Sequence, residues 1–219
     1  MATRAQVIAK LLENCKHYDK DYRHTGAHDL CNEVLNSADQ FEETMEQRIC
    51  AAFISHLTDE SIEVKSNAVR CIQRVTQKIR DSNLVIILKK LASEIVDGKT
   101  ETIDIFSLCI KGIINESLDD RSSGKNQDER ATGIISTLGP YLLKGIDTSK
   151  EDKVKVECLD ISTELFKRFG LFILQKSDII NRDTLMRAIN KQMTEGSSTN
   201  VRKRASFCMG AFAIILNGK

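Results

Sequence analysis

The sequence predicts an all-α fold, an α-solenoid of about five antiparallel helix pairs, and three observations point there. A single Pro and 11 Gly in 219 residues are too few turn formers for a β-sandwich or barrel, whose strands must reverse at short intervals. Apolar side chains recur at helical spacing: Val64, Ala68, Cys71, Ile72, Val75 and Ile79 share one stripe, while Lys65, Arg70, Arg74 and Lys78 lie off it. A segment of one form also returns along the chain, which is the mark of a repeat architecture.

The clearest copy is Asp59-Glu60-Ser61-Ile62-Glu63-Val64-Lys65-Ser66-Asn67-Ala68, an acidic turn followed by a helix start of the form Val-basic-x-x-small. The form returns at Val154-Lys155 and at Val201-Arg202, more loosely at Tyr22-Arg23, and in degenerate form at Ile103, where Asp104 replaces the base. The copies begin at 22, 64, 103, 154 and 201 and so lie 42, 39, 51 and 47 residues apart. That is the length of a two-helix HEAT or armadillo unit, roughly 40–47 residues. The longest gap contains the polar stretch 119–126, predicted to be a loop.

First helices are predicted at 3–16, 44–57, 83–97, 127–145 and 178–193, and second helices at 21–37, 62–80, 101–118, 152–169 and 199–216. The whole chain, 1–219, reads as a single array of pairs at about 1–40, 41–80, 81–118, 127–169 and 171–219. Short residues in the second helices (Gly26, Ala68, Ser107, Cys158, Ala205) allow close helix approach. Asp59 and Ser198, ahead of helices, suit unpaired helix N–H groups. Gly139-Pro140 is predicted to kink or break the fourth pair's first helix. Residues 205–216 carry no charge, and a helix apolar all round is expected to be buried. The chain is accordingly expected to be the N-terminal part of a longer solenoid, or to self-associate end to end through this apolar C-terminal helix.

Thirty-two basic and 31 acidic residues give a net charge of +1, so no global field favours nucleic acid or an anionic membrane, and neither is expected as a partner. The N-terminus lacks a signal-peptide core, and no apolar run approaches the roughly 18 residues of a membrane span. The expected location is the cytoplasm, with the nucleus as a second compartment. Seven scattered cysteines without a C-x-x-C pair read as reduced thiols packed as small apolar side chains. His24 and His28 share one helix face but lack the accompanying ligands of a metal motif, and Cys15 and His17 point to different faces. No phosphate-binding glycine loop is present. No catalytic residue, cofactor or metal is expected.

The densest basic spots are Arg202-Lys203-Arg204, Lys89-Lys90 and Lys167-Arg168. Bases at the start of successive second helices (Arg23, Lys65, Lys155, Arg202) suggest a ladder along one wall that would attract an acidic protein surface. Bonding to turn acids such as Asp21 or Asp59 is the alternative use of the same bases.

The ordered set Leu11-Leu12-Glu13, Asp19-Lys20-Asp21-Tyr22-Arg23, Asp29-Leu30, Glu63-Val64, Ala68-Val69-Arg70-Cys71, Glu157-Cys158-Leu159-Asp160-Ile161 and Val201-Arg202-Lys203-Arg204 resembles the cullin-associated, neddylation-dissociated proteins. The resemblance implies a non-catalytic scaffold that binds an unmodified cullin with its RING-box subunit and promotes substrate-receptor exchange in ubiquitin ligases. It implies that N-terminal repeats grasp the cullin, while the receptor-displacing repeats lie beyond this chain. It also places the protein contacts on inward-facing second helices and nearby turns, here Arg23, Asp59, Lys65, Arg70, Arg74, Lys155, Arg202 and Lys203. The chain departs from the family in its third pair, at 119–126 and at Gly139-Pro140. A tubulin-binding HEAT array is the alternative, although the chain has no Trp and presents Tyr18-Asp19-Lys20-Asp21 in the first inter-helix turn. A HEAT-like DNA glycosylase fits less well with a net charge of +1 and 5% aromatics.

Overall fold

The structure, a computed structural model, describes residues 3–98, 100–117, 125–176 and 179–216, with the backbone alone at 125–126. Among the described residues there are ten α-helices and no strand. They are α1 (Arg4–Asn14), α2 (Lys20–Leu35), α3 (Glu43–His56), α4 (Ile62–Val75), α5 (Asp81–Asp97), α6 (Ile103–Glu116), α7 (Lys125–Thr148), α8 (Asp152–Gln175), α9 (Arg182–Glu195) and α10 (Thr199–Leu216). Each expected helix is present, and the fold is an all-α solenoid of HEAT-type pairs. The loop expected at 119–126 lies mostly outside the described residues, although its last two positions already belong to α7.

The helices form two compact units, Met1–Ile87 and Leu88–Lys219, with the division falling inside α5. In the first unit α1 packs on α2, α3 on α4, and the second helices α2 and α4 on each other. In the second unit α7 packs on α8, α9 on α10, and α8 lies between α6 and α10. Second helix against second helix is therefore the common contact within each unit, as a stacked repeat requires.

The apolar stripes settle the register. Val64, Ala68, Cys71, Ile72 and Val75 of α4 are all buried. Ile103, Val154 and Val201 are buried at the starts of α6, α8 and α10. Tyr22, expected to lead the first copy, is instead exposed, and Arg23 takes the inward place, followed by buried Ala27, Leu30, Cys31 and Val34. The first repeat is thus one residue later than the sequence pattern indicates, because an arginine with a buried acidic partner substitutes for the leading apolar residue.

The expected short residues do sit at close contacts. A Cβ on Gly26 would lie 2.8 Å from Asn14 Cβ, and one on Gly145 would lie 2.3 Å from Cys158 Sγ, so glycine sets the α1–α2 and α7–α8 separations. All seven cysteines are buried and unbridged. Helix starts are closed locally: Thr3 and Gln6 cap each other across the first turn of α1, and Asn181 Oδ1 accepts from the Thr184 N–H at α9.

Pro140 does not break its helix, since α7 runs through it to Thr148. Proline costs one backbone hydrogen bond there. The packing that holds α7 in place includes buried Ile134, Ile135, Leu138, Leu142 and Ile146, which flank Pro140 on both sides. Next to it, a Cβ on Gly139 would lie 2.9 Å from the Ile180 side chain.

Candidate interaction surface

The residues expected to meet a partner divide by burial. In the first unit Arg23 is only 9% exposed. Its Nε donates to Asp59 Oδ2 at 2.7 Å and its Nη2 to Asp59 Oδ1 at 2.9 Å, a two-pronged guanidinium–carboxylate pair. Nη1 donates to the carbonyls of His17 and Tyr18, and Nη2 also reaches Glu60. Asp59 Oδ1 accepts in addition from the Ser61 N–H at 2.8 Å, at the entry to α4. Burial works against the charge on Asp59, yet the bonds from Arg23 and Ser61 outweigh it and hold the carboxyl below its usual range. Arg23 and Asp59 therefore join the turn of the first pair to the turn of the second.

The start of α10 shows part of the same device, where Arg202 Nη1 donates to the Gly196 carbonyl at 2.7 Å and Nη2 to Thr199 Oγ1 at 3.2 Å. Ser198 Oγ accepts from the Val201 N–H at 3.4 Å. In the second unit Asp104, the acid that stands where other copies carry a base, pairs with Lys153 of α8 at 2.7 Å. The degenerate third copy thus keeps an ion pair to its neighbour with the charges exchanged.

The other expected residues face solvent at least in part. Lys65 is half-buried, and Arg70 and Arg74 are exposed on α4, with Arg74 Nη2 donating to Asn32 Oδ1 of α2 at 3.4 Å. Lys155 is half-buried on α8 and Lys203 is exposed on α10. Among the described residues none of Lys65, Arg70, Arg74, Lys155 and Lys203 forms an ion pair, whereas Arg23 and Asp59 do. A continuous ladder of Arg23, Lys65, Lys155 and Arg202 is not what these side chains make: two of the four are turned to local bonds.

Sequence reasoning missed a groove in the second unit. Lys111 of α6, Asp160, Thr163, Glu164 and Lys167 of α8, and Phe207, Gly210 and Ile214 of α10 line a depression of about 740 Å³. The expectation that α10 is buried all round holds only for Val201, Ala205, Cys208 and Phe212. From 205 to 216 its other side is uncharged but open, with Phe207 and Ile214 56% and 59% exposed. The signal was in the sequence, since an uncharged helix is either covered or offers an apolar face.

Among the described residues no group of three or more His, Cys, Asp and Glu side chains is placed to hold a metal, and no helix is long and apolar enough to cross a membrane. Burial pushes the thiols of Cys15 and Cys208 up to about 11 and about 12, the opposite of an activated nucleophile.

No protein-family model matches the chain. Over 94% of its length it is 28% identical to cullin-associated NEDD8-dissociated protein 1 of Dictyostelium discoideum, and over 96% it is 28% identical to the Drosophila melanogaster protein of that name. Cullin-associated NEDD8-dissociated protein 2 of Mus musculus is 26% identical over 78% of the chain. The chain is similar to cullin-associated NEDD8-dissociated proteins almost from end to end. It spans only 16% of the length of the first two of these relatives. Among solved structures, Drosophila melanogaster Mini spindles TOG3 superposes with a TM-score of 0.64, covering 95% of this chain and 82% of that one at 12% identity. At that identity the likeness speaks for the helical-repeat fold.

Proposed function

We propose that this chain is a non-catalytic segment that binds an unmodified cullin together with its RING-box subunit, as part of a longer repeat protein that regulates ubiquitin ligases. The observation that supports this reading is the similarity, along nearly the whole chain, to relatives named for cullin association and NEDD8 dissociation. Receptor exchange is not assigned to this segment, which corresponds to about a sixth of those relatives. The proposed contacts are cations of the second helices: exposed Arg70 and Arg74 on α4 and exposed Lys203 on α10, supported by half-buried Lys65 and Lys155. They would steer an acidic surface toward the chain and set its register. Arg23, Asp59 and Arg202 hold the turns that present these helices.

A pull-down with a purified cullin–RING-box pair tests the reading. Capture of the unmodified pair, and loss of capture once NEDD8 is attached to the cullin, is the expected result. Failure to capture the unmodified pair would refute it.

A further inference from the structure

The first unit keeps a polar face that its own packing does not use. Beyond the first turn of α2 and of α4 neither helix exposes a large apolar side chain, Tyr22 and Ile62 being the exposed ones at their starts. The two helices run side by side in a fixed register. Asn67 Nδ2 donates to the His24 carbonyl at 3.0 Å and Arg74 Nη2 to Asn32 Oδ1 at 3.4 Å, so residues 43 or 42 positions apart are neighbours. Arg70 therefore stands beside His28, one helical turn before the Arg74–Asn32 contact. Just past the ends of the same helices lie Asn36, Gln77 and Lys78, all exposed.

The cations of this face have no acid of their own. Lys20, Arg23 and Arg80 meet Glu63, Asp59 and Glu46 at the turns, whereas among the described residues Arg70, Arg74 and Lys78 form no ion pair. An exposed guanidinium without an acid can take a carboxylate through two parallel bonds. Arg70 and Arg74 lie about 6 Å apart along the helix axis, close to the roughly 6.6 Å between alternate residues of an extended chain. An acidic helix offers a similar spacing, but a docking helix draws on an apolar stripe, and this face exposes no large apolar side chain to receive one. An extended segment instead brings unpaired backbone N–H and C=O groups, and the side-chain amides of Asn36 and Gln77 supply both donors and acceptors for them. We infer that the α2–α4 face of the first unit holds an extended acidic peptide segment, its alternate carboxylates on Arg70 and Arg74, its backbone on Asn36 and Gln77, with Lys78 adding attraction at one end. It rests on the proposed function for α4 as a contact helix, and adds the form of what is held there.

The test uses the full chain and three fluorescein-labelled peptides of about 12 residues. One alternates Glu with Thr, which favours extended chain; one carries the same number of Glu on an Ala background held helical by a hydrocarbon staple; one alternates Lys with Thr. Polarisation should show saturable binding of the Glu–Thr peptide, about tenfold tighter than the stapled helix, and no binding of the Lys–Thr peptide. Arg70→Glu and Arg74→Glu should each weaken the Glu–Thr peptide about tenfold, and Asn36→Ala with Gln77→Ala about threefold, all with unchanged circular dichroism. Lys150→Glu, a charge reversal at an exposed site of the second unit, should leave it unchanged. Equal or tighter binding of the stapled helix, indifference to Arg74→Glu or to the loss of both amides, or an equal loss with Lys150→Glu would overturn the inference. So would tighter binding of a short DNA duplex that Arg70→Glu abolishes, which would assign the face to nucleic acid. Capture of the unmodified cullin–RING-box pair without any peptide binding would leave the proposed function intact and end this one; peptide binding without cullin capture would do the reverse.

Discussion

The two units use the same repeat and solve the problem of their charges differently. In the first unit the second helices and the residues just past them are only polar at the offsets that become apolar on α10: Asp29, Asn32, Glu33 and Asn36 after Arg23, and Arg70, Gln73, Arg74 and Gln77 after Val64. That unit also draws charge inward. Besides the Arg23–Asp59 pair, buried Glu46 of α3 accepts from the Arg80 N–H at 2.7 Å, from the Arg80 guanidinium and from Asn83 Nδ2 at 2.7 Å, closing the turn into α5. In the second unit close contact is made by apolar groups, such as the Phe166 and Phe212 rings 5.1 Å apart between α8 and α10, and its ion pairs, at the groove and elsewhere, are at least partly exposed. One unit has clamped turns and a polar helical face; the other has an apolar core that surfaces as a groove. The difference teaches that a shared helix–turn–helix pattern fixes the fold, while the residues left over at one face decide what it can hold.

The contrast can be broken from either side. Phe166→Ala should have the largest effect, destabilising the second unit by about 3–5 kcal/mol in urea denaturation. Replacing Glu46 with Ala should cost the first unit about 3 kcal/mol, because the partly buried Arg80 guanidinium, the Arg80 N–H and the buried Asn83 amide lose an acceptor together. If either change lowered the stability of both units equally, they would not be separately held.

Acid provides a finer probe. Because the Asp59 carboxyl is held below its usual range in the folded chain, its contribution is complete above the unfolded carboxylate pKa of about 3.9. That contribution is lost as pH falls through the lower folded value. Melting curves should therefore show Asp59→Ala lowering the transition by roughly 5 °C at neutral pH, with the gap to the wild-type chain closing below about pH 4. A gap that stays constant with pH would mean that the pair is not what holds the turns.

Charge reversal at Arg70 and Arg74 should leave stability within about 0.5 kcal/mol and reduce capture of the cullin–RING-box pair about tenfold, since both side chains are exposed and unpaired by acids. The smallest change is expected from thiol reagents. All seven cysteines are buried, and burial raises Cys15 to about 11 and Cys50, Cys158 and Cys208 to about 12, so the native chain should react with iodoacetamide far more slowly than the unfolded one.

Much of this architecture was legible in the residues. The stripe Val64, Ala68, Cys71, Ile72 and Val75 placed α4 and its inward face, and the acidic turn at Asp59 marked its start, because periodicity and turn chemistry act locally. What escaped was decided by tertiary partners. The sequence offers a turn acid such as Asp59 as a partner for Arg23, but that the paired arginine takes the place of the leading apolar residue follows only from the packing. Pro140 is a helix breaker by propensity, yet flanking isoleucines and leucines hold α7 through it. The α10 groove was half visible: the absence of charge was plain, whereas the deeper set of Asp160 and Glu164 relative to Arg204 and Lys167 needed coordinates.

Hydrogen exchange on the chain with and without the unmodified cullin–RING-box pair tests the account most directly. Protection on binding should concentrate on the second helices, at α4 around Arg70 and Arg74 and at α8 and α10 around Lys155 and Lys203, with α1, α3, α7 and α9 little changed. Protection confined to the first helices, or none at a saturating concentration of the pair, would contradict it.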